Sequence, residues 1–313
     1  MTTLMDVAER AGVSKSTVSN VIRGTAMVAE DTRVRVERAI AETGYHPNAI
    51  ARSLKARTSS AIGIVVPDLT NPFYAQLAVG VERAAGALGY AVLTANTECL
   101  PSTEEDAARA WLERRVDGVI IGGMSLASTL PRVLLDRDVP VVLASLGESD
   151  DPRLGVIDHD DVGAMEAIVE HLYSLGHRRL AFVSDHLREH AGERRYLGFK
   201  KALKNRRLVP IAIEDGATAV VAHNDMQAIA AIDRLERRGV KVPDDVSVVG
   251  FDDVPLASHN RIQLTTVRSD AIEMSRRAVD LVVKAARESR HVSHRELLEV
   301  TLVVRSTTAR PPQ

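Results

Sequence analysis

From Leu4 to about Ile50 the apolar residues recur at helical spacing. Leu4, Val7, Ala8 and Ala11 make one stripe, Val18, Val21 and Ile22 a second, and Val36, Ala39 and Ile40 a third. Gly12 separates the first helix from the second, and Ser14 is a suitable N-cap for the second. Gly24 and Gly44 end the second and third. Three short helices, two of them joined by a tight glycine turn, predict a helix-turn-helix. His46-Pro47-Asn48 follows, then Ala49–Arg57, short, basic and amphipathic, and then Thr58-Ser59-Ser60. This stretch reads as a linker able to form a helix.

After residue 61 the pattern changes. Near-continuous apolar runs at Ile62–Val66, Ala91–Ala95, Gly118–Ile121, Val139–Leu143, Leu180–Val183, Ala219–Ala222 and Val246–Phe251 predict strands. Helical stretches such as Tyr74–Leu88, Glu104–Arg114, Val162–Leu175 and Met226–Arg238 lie between several of them. Strand-then-helix repetition with strands apolar throughout predicts parallel sheet covered by helices on both faces, as one large sheet or two smaller ones. Ligands in such sheets bind beyond the carboxyl ends of the strands. Asp68, Asn71, Asn96, Ser184-Asp185, Asn224-Asp225 and Asp252-Asp253 all follow strand runs closely.

Composition narrows the classes. The chain has 313 residues, 45% apolar and 26% charged, with mean hydropathy -0.05. It holds no apolar run long enough for a membrane span. A single cysteine, Cys99, excludes a disulfide framework and a cysteine-built metal site. The first residues, with Asp6, lack the basic flank and apolar stretch of a secretory signal, so a cytoplasmic location is expected. The net charge of -2 divides unevenly: residues 1–57 carry nine Lys or Arg against six acids, leaving the remainder acidic. A cationic head on an anionic body suits a polyanionic partner, although a solvated charged surface is equally compatible with so small a difference.

The head, Asp6-Val7-Ala8-Glu9-Arg10-Ala11-Gly12-Val13-Ser14-Lys15-Ser16-Thr17-Val18-Ser19-Asn20-Val21, resembles the signature of the LacI/GalR family of bacterial repressors. The similarity continues through Gly44–Leu54, Asn71-Pro72-Phe73-Tyr74, Arg115–Gly118, Gly176-His177-Arg178, Asn224-Asp225, Val242–Asp253 and Leu264–Val267, in family order along nearly the whole chain. The resemblance implies an all-α helix-turn-helix domain over residues 1–46 and a hinge helix and linker over 47–60. It also implies an α/β two-lobed, periplasmic-binding-protein-like effector and dimerisation domain with parallel sheets over 61–313. The implied lobes are 61–157 with 265–289, and 158–264 with 290–309. Crossings between them are expected near Val156–Asp160, Asp253–Leu264 and Glu288–Arg295. The implied partners are double-stranded operator DNA, a second copy of the chain and a small-molecule effector, a sugar or sugar derivative. No membrane partner, cofactor or metal is expected.

A recognition helix in the major groove reads bases with its N-terminal residues, here Lys15, Ser16 and Thr17, with Asn20 a turn further on. Lys15 can donate to guanine O6 and N7, and Asn20 can pair with adenine N6 and N7. Ser14, Thr17 and Ser19 suit caps and phosphate contacts, which set register. Many relatives carry Arg where Asn20 stands, which implies a different operator letter. In the linker, Ala51, Leu54 and Lys55 are the expected DNA contacts. Leu54, flanked by Arg52 and Lys55, has two readings: a wedge between base pairs in the minor groove, or packing against the rest of the protein. The linker helix is shorter than the about 12–15 residues that hold helix alone in water, so it is expected to order on DNA.

For the effector, the resemblance matches Arg195, Asn224 and Asp252 to sugar-contacting positions, with Asn71, Phe73 and Asp185 lining the same cleft. Asp252 also fits a turn residue, and Asp225 reads as the N-cap of the helix that follows. One departure stands out. Only Lys204–Thr218 separates the helix ending near Leu203 from the strand at Ala219, roughly two dozen residues short of relatives and too few for a strand, a loop and a further helix. The lost loop normally contributes to the pocket wall, so effector binding is the function most exposed to this loss.

No catalytic residues emerge. There is no Gly-x-Ser-x-Gly elbow and no His-Glu-x-x-His pair, and Gly122-Gly123 lacks the Lys-Ser/Thr of a phosphate loop. His159, His171 and His177 read as caps and surface. Three functions stand: an effector-responsive repressor, a DNA-binding regulator with an impaired pocket, and a small-molecule-binding protein whose head is incidental.

Overall fold

The computed structural model describes residues 2–312 apart from 24–27, 46–57, 125–127, 148 and 185–189. The chain divides into two compact units, Met1–Ser59 and Ser60–Gln313.

The first unit holds α1 (Leu4–Ala11), α2 (Lys15–Arg23) and α3 (Glu30–Thr43), the three predicted helices. Thr3 caps α1 reciprocally: its hydroxyl accepts from the Asp6 amide, and the Asp6 carboxylate accepts from the Thr3 amide at 2.8 Å. Gly12 turns the chain in the left-handed region, at φ 62°, where a side chain would be strained. Ser14 then accepts from the Thr17 amide at 3.1 Å, the cap that starts α2. Val7, Ala8, Ala11, Val18, Val36 and Ala39 form a small core. An Arg10–Glu42 ion pair at 2.7 Å ties α1 to α3. The expected stop at Gly24 and the linker lie outside the described residues.

The second unit contains β1 (Ala61–Val66), α4 (Pro72–Ala87), β2 (Ala91–Asn96), α5 (Pro101–Arg114), β3 (Gly118–Ile121), α6 (Leu130–Leu135), β4 (Val141–Ala144), β5 (Gly155–His159), α7 (Asp161–Leu175), β6 (Leu180–Val183), α8 (His190–Asn205), β7 (Ala219–Ala222), α9 (Asp225–Glu236), β8 (Ser247–Val249), β9 (Thr266–Arg268), α10 (Ala271–Glu288), β10 (His294–Leu298) and β11 (Thr301–Val303). One sheet is parallel throughout, in the order β10-β5-β4-β3-β1-β2. Ile62, Ile64, Ile120 and Ile157 face α4 and α10, while Val65, Val119, Ile121 and Leu143 face the Trp111 and Leu134 side. This alternation is why the strands read as unbroken apolar runs.

The second sheet is β6-β7-β8, also parallel. Its Leu180, Ala219 and Val221 pack with Met165, Ile168, Phe199 and Leu203 of α7 and α8. Its Ala181, Val220 and Ala222 pack with Ala228 and Leu235 of α9. Beyond β8, Gly250 and Asp252 donate to the carbonyls of Thr265 and Val267, so β9 extends this sheet, and β11 pairs antiparallel with β9.

These pairings move two of the expected crossings. The chain passes between the halves at His159–Asp161, Arg268–Ala271 and Leu298–Thr301, so β9 belongs to the second half and β10 to the first, contrary to the limits drawn at 265 and 290. The physical reason is that β10, His-Arg-Glu-Leu-Leu, is a mostly exposed edge strand and carries no continuous apolar run.

After α8 ends at Asn205, the connection to Thr218 contains no strand and no further α-helix, only a 3-10 turn at Ile213–Asp215. Strand β6 is therefore the edge of its sheet, as so short a connection implies. Ile211 takes up part of that role. Its amide donates to the Leu180 carbonyl at 3.0 Å, and Ile211 and Ile213 pack, partly buried, against the core face that the missing helix leaves.

Candidate DNA-reading helix and effector cleft

On the first unit, α2 presents Lys15 and Ser16 exposed and Thr17, Ser19 and Asn20 half-buried. The Ser14 hydroxyl lies 2.7 Å from that of Ser16 and 2.9 Å from that of Thr17, so three hydroxyls cluster at the N-terminus of α2. That end carries partial positive charge and unpaired amides, the chemistry that receives phosphate oxygens. Ala51, Leu54 and Lys55 lie outside the described residues.

In the second unit, the carboxyl end of β5, the start of α7, α8 and the end of β8 converge on a charged cluster. Arg195, on α8, is 3% exposed. Its Nε points to Asp161 at 3.4 Å, its Nη1 donates to the His223 carbonyl at 2.8 Å and its Nη2 reaches Asp252 at 3.3 Å. Its guanidinium carbon sits 3.6 Å from the centre of the Phe251 ring. Burial works against the Arg195 charge, but the Asp252 and Asp161 carboxylates overcome it and hold its pKa above the ordinary value. The Tyr74 hydroxyl, from α4, lies within electrostatic reach of the same guanidinium.

Arg194 crosses between the halves. Its Nη1 lies 2.5 Å from Asp158 and 3.5 Å from Asp161. A side-chain carbon added to Gly147, in the loop after β4, would lie 2.7 Å from the Arg194 Cδ. Gly147 also sits at φ +84°, so glycine is required there twice over. Asp158, buried, is pushed up to about 6 by desolvation, against the pull of Arg194. His159 is fully buried beside Phe73, with ring centres 6.3 Å apart, and burial together with Arg195 lowers its pKa to about 3, so it is neutral.

The predicted cleft residues divide by what they do. Arg195 and Asp252 meet. Asp252 takes the turn role foreseen for it, at φ 107°. Asn71 caps α4, accepting from the Phe73 amide at 3.1 Å, and Phe73 is 4% exposed against Tyr74 and His159. Asn224, not Asp225, is the N-cap of α9, accepting from Gln227 at 2.9 Å. Asp225 instead lies inside, accepting from the Thr266 hydroxyl at 2.5 Å and the Val254 amide at 2.8 Å, and burial pushes it up to about 8. Asp185 lies outside the described residues.

The three histidines depart from the surface reading. His177 is 1% exposed; it clasps the C-terminal tail through the Ala309 carbonyl at 2.8 Å and meets the Thr218 hydroxyl, just before β7, at 2.9 Å. His171 meets Thr308 at 3.0 Å. His159 lies in the cluster itself. Sequence reasoning also passed over Asp158, Asp161 and Arg194. Their one signal was the run Asp158-His159-Asp160-Asp161 after a short apolar stretch, and the Arg194-Arg195 doublet.

Among the described residues no helix is long and apolar enough to cross a membrane. Residues 3–48 match the family described as bacterial regulatory proteins, lacI family. Residues 59–215 match the periplasmic binding proteins and sugar binding domain of LacI family, and residues 169–308 a periplasmic binding protein-like domain. The chain is 32% identical over 331 positions to the HTH-type transcriptional repressor PurR of Vibrio atlanticus (strain LGP32), covering 98% of each chain. An alignment of 331 positions on 313 residues leaves at least 18 without a counterpart here, in keeping with the short connection after α8. The lac repressor dimer bound to operator and the anti-inducer ONPF is similar at 29% identity and TM-score 0.87, covering 98% of this chain and 99% of that one. The transcriptional regulator CelR–cellobiose complex is similar at 28% identity and TM-score 0.72, covering 98% and 100%. The chain therefore belongs to the lacI family of bacterial regulatory proteins: it is a DNA-binding transcriptional repressor with a periplasmic-binding-protein-like domain.

Proposed function

We propose that the protein acts in the cytoplasm as a homodimer on a pseudo-palindromic operator, and that a small molecule, a sugar or sugar derivative, adjusts its grip. A single head covers only half of a two-fold site, which is the physical reason for a dimer. Lys15, Ser16 and Asn20 read base edges, Thr17 holds a phosphate, and Ala51, Leu54 and Lys55 engage the minor groove as the linker orders. The effector enters between the halves of the second unit, bounded by Asn71, Phe73, Asp185, Arg195, Asn224 and Asp252. The observation that carries this reading is the Arg195–Asp252 pair at 3.3 Å, placed where the chain crosses between its two sheets. Paired donors and acceptors of this kind suit hydroxyl groups, and a ligand that binds the two arrangements of the halves unequally shifts their balance.

A second reading, an operator-binding repressor that ignores effectors, is favoured by the short Lys204–Thr218 connection and by Arg195 already being satisfied within the protein. One gel-shift series with DNA upstream of the protein's own operon, with and without sugars, separates the two. An effector-dependent change of about 5–150-fold in affinity supports the first reading. Operator binding that no sugar alters supports the second, and no binding in low salt rejects both. Binding should weaken steeply with salt as phosphate contacts release counterions.

A further inference from the structure

We propose that His159 and Asp161 form a reading point for the effector, and that the effector is an uncharged, hydroxyl- or amide-bearing molecule rather than a phosphorylated or acidic one. This rests on the effector-cleft reading above.

His159 is the last residue of β5, and in the register of the first sheet it stands beside Leu298, the last residue of β10. Asp161 opens α7 on the other side of the same crossing. Two of the three crossings thus meet at this point, and Asp270, at the third, lies within electrostatic reach of His159. Any ligand that changes how the halves sit must act on this junction.

The junction is polar, buried and incompletely satisfied. Among the described residues, neither ring nitrogen of His159, which is 0% exposed, has a hydrogen-bond partner. Oδ2 of Asp161, also 0% exposed, has among them no hydrogen bond and only the Arg194 cation at 3.5 Å. Buried polar groups are nearly always paired, so three such atoms at one crossing call for a partner that the described residues do not supply. A neutral imidazole offers one N–H and one lone pair, and a carboxylate oxygen offers only lone pairs. The complementary group donates twice and accepts once. Neighbouring hydroxyls do this, as does an amide edge.

An anion does not fit. Asp158, Asp161 and Asp252 already surround Arg194 and Arg195, and the Arg195 nitrogens are engaged by Asp161, His223 and Asp252. A phosphate or carboxylate would sit beside three carboxylates, with every Arg195 nitrogen already engaged. Burial also keeps the imidazole uncharged, so it provides no balancing cation.

The test uses the full-length protein on its own upstream DNA. A metabolite extract of the host is passed over a strong anion exchanger, giving a flow-through and a salt-eluted fraction, which is desalted before use. Operator affinity is measured with each fraction, relative to the same variant without it, for wild type, His159→Leu and His159→Asn. The expected result is a change of about fivefold or more with the flow-through alone. It should be lost in His159→Leu and partly kept in His159→Asn, which retains a donor and an acceptor. His159→Leu should also melt no lower than wild type, since it removes an unsatisfied polar group. If it does not fold, His159→Phe takes its place. A response confined to the salt-eluted fraction, or a Leu variant that responds like wild type, overturns the inference but leaves the effector reading standing. Unaltered operator binding with both fractions removes the effector reading and this inference with it.

Discussion

Replacing Arg195 with Met keeps the length of the side chain and removes its charge. The wild-type guanidinium is 3% exposed, touches two carboxylates at 3.3 and 3.4 Å and a carbonyl at 2.8 Å, and lies over Phe251. In Arg195→Met, Asp161 keeps only the 3.5 Å approach of Arg194, and Asp252 loses its guanidinium contact. Breaking a buried pair by removing one partner costs about 3–5 kcal/mol, because the remaining charge is stranded out of water. The contacts to the carboxylates are long for charge-assisted bonds, so the lower end, about 3 kcal/mol, is expected. Urea unfolding followed by far-UV circular dichroism gives the number. Two further measurements separate a stranded charge from lost packing. The deficit should shrink from pH 7 to pH 5, since a stranded buried carboxylate can take up a proton. The triple variant Arg195→Met/Asp161→Asn/Asp252→Asn should recover much of the loss. An Arg195→Met protein within about 1 kcal/mol of wild type, a value typical of exposed pairs, would refute the closed cluster described above.

Three other outcomes follow from the same geometry. Ser14→Ala removes the cap of α2, and thermal melting should show a loss of about 1 kcal/mol together with weaker operator binding in gel shifts. Gly147→Ala forces a side chain into the left-handed region and against Arg194, which should lower the urea midpoint. The loss should be smaller in an Arg194→Ala background, and equal losses in both backgrounds would show that the contact is unimportant. Asp225, pushed up to about 8 in the fold against an ordinary value of 3.8, is protonated when folded and ionised when unfolded across that interval. Its stabilising effect is complete below about pH 4 and lost as pH rises through 8, with a slope of at most about 1.4 kcal/mol per pH unit. Asp225→Asn should flatten that part of the stability–pH curve, read from unfolding midpoints between pH 4 and 8.

The helical head was legible because its fold is local. The Thr3–Asp6 cap, the Gly12 turn and the Ser14 cap lie within a few residues of each other, and the apolar stripes have one period. Most inner strands were legible for a related reason: being buried on both faces, they read as unbroken apolar runs. Strand β5, though buried throughout, escaped because only Val156-Ile157 is apolar before Asp158-His159. Strands β10 and β11, His-Arg-Glu-Leu-Leu and Thr-Leu-Val, escaped because each has too short an apolar run, so their pairing partners are a tertiary matter. The limits of the two halves moved with them.

The candidate cleft was legible only in outline. Arg195 and Asp252 were chosen by resemblance, and the structure joins them, but residues 57 positions apart carry no local sign that they meet. Asn224 took the capping part expected of Asp225 because both types can cap a helix, and only the backbone at the start of α9 decides which does. His159 looked like an ordinary cap or surface residue. Its burial and neutrality arise beside Phe73, Arg194 and Arg195, drawn from two distant stretches. Periodicity and caps act over one or two turns of chain and are written in the sequence itself. Desolvation and charge pairing depend on which distant groups share a low-dielectric space, and only the tertiary structure decides that.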